Sequence, residues 1–178
     1  VKKHYQQAVD ALEEAQKLTS ENKELQGAIL AQLGDAYHGL SEYTKSDDSY
    51  EAALKIAPKN DHVLNNYSYF LSLRKDKLGR AKEMAASVVE RHPTNATYLD
   101  TYAWVLYVMK DYKNARTYLE KAIESNNKVS GTIVEHYGDV LYQLGEKEKA
   151  VEQWKKAKSM GENSQQIDKK IATGQLIE

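Results

Sequence analysis

Histidine and acidic side chains are the groups in this sequence that could do chemistry, but few of them are spaced to act together. The five histidines are His4, His38, His62, His92 and His136. His136 is followed three residues later by Asp139, and on a helix these two side chains could supply two ligands to one metal ion. The other four histidines are isolated. Because zinc sites in proteins use three or four ligands, we expect no metal site.

Motifs for catalysis or for cofactor binding are missing as well. The sequence has no Gly-rich phosphate loop, no His-Glu-x-x-His and no nucleophilic serine motif, and it has no cysteine. Acidic pairs such as Glu13–Glu14 and Asp47–Asp48 lie on helix faces that the hydrophobic pattern directs toward solvent. We therefore expect a non-enzymatic protein without a cofactor.

The overall composition indicates a helical protein of ordinary domain size. The 178 residues include 25 Lys and Arg and 26 Asp and Glu, so the formal net charge is -1. This balance argues against a dedicated nucleic-acid binder, which normally carries a basic surface. Two prolines and nine glycines are few breakers, which favours long helices. No apolar run approaches the roughly 18 residues that a membrane-spanning helix requires.

A repeat of about 35 residues organises the chain. One small residue recurs in four similar segments, at Gly34, Ser68, Ala103 and Gly138. A second element follows each of them, with a pair of residues seven apart. These pairs are Ser46 and Ala53, Ala81 and Val88, Ala115 and Ala122, and Ala150 and Ala157. Because this spacing marks one stripe of a helix, each repeat is predicted to form two helices, which we call helix A and helix B.

The pattern resembles the tetratricopeptide repeat, a helix–turn–helix unit. Residues 27–60 carry its motif through Leu33, Gly34, Tyr37, Ala53 and Pro58, and the other repeats replace single motif positions. The resemblance implies an all-α fold, a right-handed α-α superhelix or solenoid of stacked helical pairs. It divides one domain, residues 1–178, into a partial repeat, four full repeats and a C-terminal capping helix with its tail. These segments are 1–26, 27–60, 61–95, 96–130, 131–164 and 165–178.

The two ends of the repeat array are expected to differ from its middle. Residues 1–18 read as a helix B whose own helix A would lie upstream, and the first helix A is predicted to start early, near Ser20 or Glu21. Residues 164–173 are predicted to form an added helix, capped by Asn163 or Ser164. Ile167 and Ile171 would seal the last repeat, with residues 168–170 facing water.

In this family helix A lines a concave groove, where solenoid proteins bind their partners. The register predicts a peptide-binding site there, made of Gln32, Asp35, His38, Asn65, Asn66, Tyr69, Asp100, Thr101, Trp104, Tyr107, Glu135, His136, Asp139 and Tyr142. None of these residues is Lys or Arg, and Asp35, Asp100, Glu135 and Asp139 are acidic. The groove is therefore expected to favour a neutral or basic segment over an acidic one.

Two pairs within this set have specific expected roles. Tyr69 and Trp104 are predicted to stand side by side as an apolar platform for a partner. Asn65 and Asn66 can both donate and accept hydrogen bonds, which suits holding an extended peptide backbone.

The function that these observations favour is a protein- or peptide-binding scaffold. The alternative is a self-association module within a larger bacterial envelope protein, in which open ends or a Tyr-rich convex face pair with another copy. The segment Val63–Leu71 and the longer turn after it resemble a variant common in bacterial repeat proteins, many of which are exported. We therefore expect a bacterial protein located in the periplasm or associated with the envelope.

Overall fold

The computed structural model describes residues 2–19, 21–125 and 129–177. Within these ranges the regular elements are α-helices and no strand is present. In chain order they are α1 (Lys2–Leu18), α2 (Lys23–Gly39), α3 (Tyr43–Ile56), α4 (Asp61–Leu73), α5 (Leu78–Arg91), α6 (Ala96–Val108), α7 (Tyr112–Glu124), α8 (Gly131–Gln143), α9 (Lys147–Met160) and α10 (Ile167–Thr173). The predicted all-α class is confirmed.

The chain divides into two compact units, Val1–Phe70 and Leu71–Glu178. In the first unit α2 packs between α1 and α3. In the second unit α5 packs on α6, α6 on α7, α7 on α8, α8 on α9 and α9 on α10, and α6 also contacts α8 directly. From α1 to α3 and from α5 to α10, each helix is therefore packed against the next helix in the chain.

Polar caps set the start of each helix A. Asn22 accepts a hydrogen bond from the backbone N–H of Leu25 at 3.0 Å, and Asn95 accepts one from Tyr98 at 3.2 Å. Such a cap pairs one of the N–H groups that the first helical turn leaves without a partner. The first helix A therefore begins at Lys23, two residues after Glu21. Ser20, the other predicted start, lies outside the described residues.

Two glycines allow helix A and helix B to approach closely. A Cβ atom built on Gly34 would lie 2.5 Å from the ring of Tyr50, and one on Gly138 would lie 2.5 Å from the ring of Trp154. These distances are too short for any carbon–carbon contact, so even alanine is too large at both positions. The nearest neighbour in both cases is an aromatic ring on helix B, and at Gly138 the backbone oxygen of Ala150 also lies 3.1 Å from the added atom.

The C-terminal helix differs from its prediction in length and in orientation. It begins at Ile167, and its N-cap residue, Gln166, makes no side-chain capping bond. Ile167 is buried as expected. Lys170, however, is only 4% exposed and does not face water. The reason is an acidic pocket on α8, described below, that receives its ammonium group.

Candidate ligand-binding faces

Asp35 organises the predicted site residues of the first unit. Its Oδ1 accepts hydrogen bonds from Tyr50 Oη at 2.5 Å and from Asn66 Nδ2 at 3.0 Å. Its Oδ2 lies 3.4 Å from Nε2 of His62, which is a long contact. The side chain of Asp35 remains 34% exposed and that of His62 remains 61% exposed. One oxygen of Asp35 is therefore held in place while the other is weakly engaged at the surface.

The two asparagines of the first unit are tied into this network. Asn65 is buried and donates to Asn66 Oδ1 at 3.3 Å. Asn66 in turn donates to Asp35 and lies 3.3 Å from His62 Nε2. The amide pair thus positions the carboxylate of Asp35. Its expected grip on a peptide backbone stays a prediction.

Aromatic side chains lie on the same two helices, α2 and α4. The ring of His38 stacks on Phe70 with centroids 3.6 Å apart and planes inclined by 6°. Tyr69 lies beside Phe70, at 6.0 Å between centroids, and Gln32 is exposed on α2. The first unit therefore combines an accessible carboxylate with apolar rings. The predicted pairing of Tyr69 with Trp104 stays a prediction.

A second set of predicted site residues meets between α6 and α8. His136 Nδ1 lies 2.8 Å from Asp100 Oδ1, and both side chains are largely buried. Trp104 stacks against His136 at 4.1 Å and against Tyr107 at 4.8 Å between centroids. The neighbouring Thr101 is buried. These residues form one packed cluster in the second unit.

The charge of Asp100 controls the protonation of His136. Burial by itself would lower the pKa of the imidazole. The nearby charge of Asp100 and its hydrogen bond outweigh burial, so the pKa of His136 lies above its ordinary value. The protonated form of His136 neutralises one of the four acids that the sequence placed on helix A.

A cation from α10 neutralises the acids of the last repeat. Lys170 Nζ donates to Glu135 Oε1 and to both carboxylate oxygens of Asp139, each at 2.8 Å. Trp154 Nε1 donates to Asp139 Oδ1 at 2.8 Å, and its ring lies 5.8 Å from the ammonium. Ser164 binds Glu135 through its backbone N–H at 2.7 Å and its hydroxyl at 2.5 Å.

The two carboxyl groups in this pocket respond differently to it. Burial would raise the pKa of Glu135, but the hydrogen bonds from Lys170 and Ser164 outweigh burial and hold that pKa below its usual value. At Asp139 burial dominates, so the pKa of its carboxyl is raised despite Lys170. A buried carboxylate keeps its charge where enough donors compensate for lost water.

The last repeat therefore corrects one expectation from the sequence. The predicted positions on helix A carry no Lys or Arg, yet a lysine from the next element lies directly on them. Of the two acids there, Glu135 is 3% and Asp139 4% exposed, so neither presents an open charge. Tyr142, also predicted, donates a short hydrogen bond to Gln175 in the tail.

Sequence reasoning missed Lys170, His62 and Trp154 as parts of these sites. A signal for Lys170 was present in the repeat. It follows Glu135 by the same 35 residues that separate Glu135 from Asp100. Lys170 therefore occupies the position of a helix A residue in a further repeat. A residue at that position faces the helix A of the preceding repeat.

Other possible sites are weaker. A cavity of about 270 Å³ lies between α5, α6 and α7, lined by Val89, Pro93, Leu99, Tyr102, Tyr118 and neighbouring side chains. It is smaller than the roughly 300 Å³ at which pockets for drug-sized ligands begin. Among the described residues, no three acidic or histidine side chains are grouped to bind a metal ion. No helix in those ranges is long and apolar enough to cross a bilayer.

Comparison with known protein families gives a consistent result. Tetratricopeptide repeat models match residues 28–60 and 101–159, together just over half of the chain. Comparison with curated protein sequences gives no significant match.

Solved structures of bacterial repeat proteins have similar folds at low sequence identity. A tetratricopeptide repeat protein from Parabacteroides merdae is 17% identical with a TM-score of 0.75, over 96% of this chain and 64% of its own. The chain thus spans less than two thirds of that protein. PilW, described as a widely conserved type IV pilus biogenesis factor, is 20% identical with a TM-score of 0.79, over 96% and 78%. A thermophilic repeat protein from Thermus thermophilus is 16% identical with a TM-score of 0.74, over 96% and 90%.

Proposed function

Because the chain belongs to the tetratricopeptide repeat family, whose repeats serve as protein-interaction scaffolds, we propose that it binds a protein segment on its helix A surfaces. The proposed ligand is an extended segment that is neutral or basic. The accessible carboxylate of Asp35, set among aromatic side chains, is the observation that carries this proposal.

The charge preference rests on which acids remain open to solvent. Glu135 and Asp139 are buried beneath Lys170, and Asp100 is paired with His136. Asp35, in contrast, has only a long contact of 3.4 Å with the exposed His62. A cationic side chain of a partner can replace this long contact with a shorter, charge-assisted hydrogen bond. An incoming carboxylate would instead be repelled by Asp35.

The aromatic residues supply the apolar part of the proposed contact. In the first unit His38, three residues after Asp35 on α2, stacks on Phe70. In the second unit Trp104 is half-buried and stacks on the buried ring of Tyr107, so Trp104 is the ring that a partner could contact there. Because binding energy concentrates on aromatic anchors, we expect these rings to contribute more affinity than the charged contact at Asp35.

A peptide array tests the proposal directly. The full chain is incubated with acidic, neutral and basic peptides of matched apolar content, and capture of the neutral and basic peptides is expected. Asp35→Asn should reduce capture of basic peptides by about three-fold, in line with an exposed charge pair. Asp48→Asn, the same change at an exposed position of α3, is the matched control. Selective capture of acidic peptides would overturn the proposal, and a concentration-dependent dimer that excludes peptide would favour self-association.

We also propose that the protein works in the bacterial envelope. The similarity to PilW, described as a type IV pilus biogenesis factor, supports this placement. Fractionation of cells that express the natural gene with a C-terminal tag tests it. Recovery of the tagged protein in the periplasm or with membranes is expected, and recovery in the cytoplasm alone would contradict it.

A further inference from the structure

The pocket that receives Lys170 is built as a binding site for an ammonium group. Glu135 supplies one oxygen acceptor and Asp139 supplies two, each 2.8 Å from the ammonium nitrogen of Lys170. The Trp154 ring lies 5.8 Å from the same nitrogen. With α10 in place both carboxylates are more than nine-tenths buried, so little water competes for the bound ammonium. These features together specify a lysine side chain.

Covering the apolar end of the last repeat does not require a buried ion pair between a lysine and two carboxylates. A buried ion pair gains little net stability over well-packed apolar residues, because removing two charges from water costs about as much as their attraction returns. An aliphatic side chain at position 170, facing apolar residues on α8, would close the end equally well. What the acidic pocket adds is selectivity for one kind of side chain.

The segment that brings Lys170 to the pocket is small. α10 has seven residues, of which Ile167 and Lys170 are buried. Ile171 packs at the edge of the same apolar cluster, which also includes Trp154. The recognised pattern is therefore an aliphatic residue three positions before a lysine and another directly after it, on one face of a short helix.

We propose that the pocket of Glu135, Asp139 and Trp154 is a recognition site for a partner's lysine, and that α10 is its intramolecular ligand. A partner helix with the same pattern displaces α10 and places its own lysine between the two carboxylates. This inference rests on the proposed use of helix A surfaces for partner binding, and it names the side chain that the last repeat selects.

The peptide of residues 164–177, labelled with fluorescein, is the probe for this site. The wild-type chain should bind it weakly, because its own α10 occupies the pocket and lowers the competent fraction. The Lys170→Gln chain should bind roughly ten-fold more tightly, since loss of a charged hydrogen bond weakens the internal competitor. Lys169→Gln changes the exposed neighbouring lysine and should bind like wild type.

A second variant separates competition from damage to the fold. Ile167→Ala loosens α10 without changing either carboxylate, so it should also raise the affinity for the peptide. A peptide with Lys170→Gln should bind the Ile167→Ala chain roughly ten-fold more weakly than the unmodified peptide. The proposal is overturned if the Ile167→Ala chain binds no more tightly than wild type, or if both peptides bind it equally. Binding that depends on Asp35 would be unaffected by that result, so the two proposals fail separately.

Discussion

The hairpins α2–α3 and α8–α9 share one local arrangement, but the aspartate of the first is accessible to solvent and the aspartate of the second is buried. In each, a glycine on helix A faces an aromatic ring on helix B, and the next residue is an aspartate that accepts a hydrogen bond from that ring's polar atom. Asp35 then meets Asn66 and the exposed His62, while Asp139 meets the buried ammonium of Lys170.

The difference shows that each repeat supplies an aspartate carboxylate as an acceptor. The residue that contacts it from the next repeat determines whether that carboxylate is accessible or buried. A neutral amide and a distant imidazole leave Asp35 accessible. Lys170 forms an ion pair with Asp139 and shields its carboxylate from solvent. The same local sequence pattern therefore gives an open site in one unit and an occupied site in the other.

Removing the lysine should have the largest effect on stability. Lys170→Ala leaves Glu135 and Asp139 buried without a cation, which is expected to cost about 3 kcal/mol of unfolding free energy. Lys169→Ala, at the exposed neighbouring position, should change it by less than about 0.5 kcal/mol. Urea denaturation of both variants measures the difference. Equal urea midpoints for the two variants would mean that the ion pair of Lys170 with Glu135 and Asp139 does not contribute to the unfolding free energy.

Filling the glycine sites should be nearly as costly in both hairpins. Gly138→Leu and Gly34→Leu each force a side chain against an aromatic ring, so a loss of about 2 kcal/mol or more is expected. Gly79→Leu is the control, because a Cβ atom there meets nothing within 4 Å. Thermal unfolding compares the three variants. An unchanged midpoint for Gly138→Leu would show that the assigned register is wrong.

Truncating the aromatic cluster of the second unit should weaken the proposed complex. Trp104→Ala removes the ring that stacks on His136 and Tyr107, and the proposed complex should lose about 2 kcal/mol. Isothermal titration with the tightest peptide from the array measures this loss. Full binding by a folded Trp104→Ala chain would exclude this surface from the interface.

A smaller effect is expected from pH, through His136. Its folded pKa is raised above 6.5, so its stabilisation is complete below that value and is lost as pH rises through the folded pKa. The acidic groups whose charges raise this pKa are Asp100, Asp139 and Glu135. Unfolding free energy should therefore fall as pH rises above about 6.5, the ordinary pKa of histidine, and this fall should shrink in Asp100→Asn. Identical slopes in the two proteins would refute the assignment to this pair.

The helix crossings of both hairpins could be predicted from the sequence, and so could the exposure of Asp35, but the burial of Asp139 could not. Periodicity located Gly34 and Gly138, because small residues at a fixed spacing mark helix crossings. It also placed Asp35 on the exposed side of helix A.

The burial of Lys170 was not predicted, because a charged residue on a terminal helix ordinarily faces water. Its position is stabilised by Glu135 and Asp139, which come from another helix, so no local pattern around residue 170 shows it. The network of Asn65 and Asn66 with Asp35 likewise depends on contacts between repeats and not on spacing within one repeat.

The central claim, that the open acceptor at Asp35 binds a partner segment, is tested most directly by a chemical-shift map. The ¹⁵N-labelled full chain is titrated with the tightest neutral or basic peptide from the array. Shifts are expected at Asp35, the Asn66 side-chain amide and His38, and these shifts should be smaller in Asp35→Asn and unchanged in Asp48→Asn. Shifts confined to α3, or shifts that survive unchanged in Asp35→Asn, would contradict it.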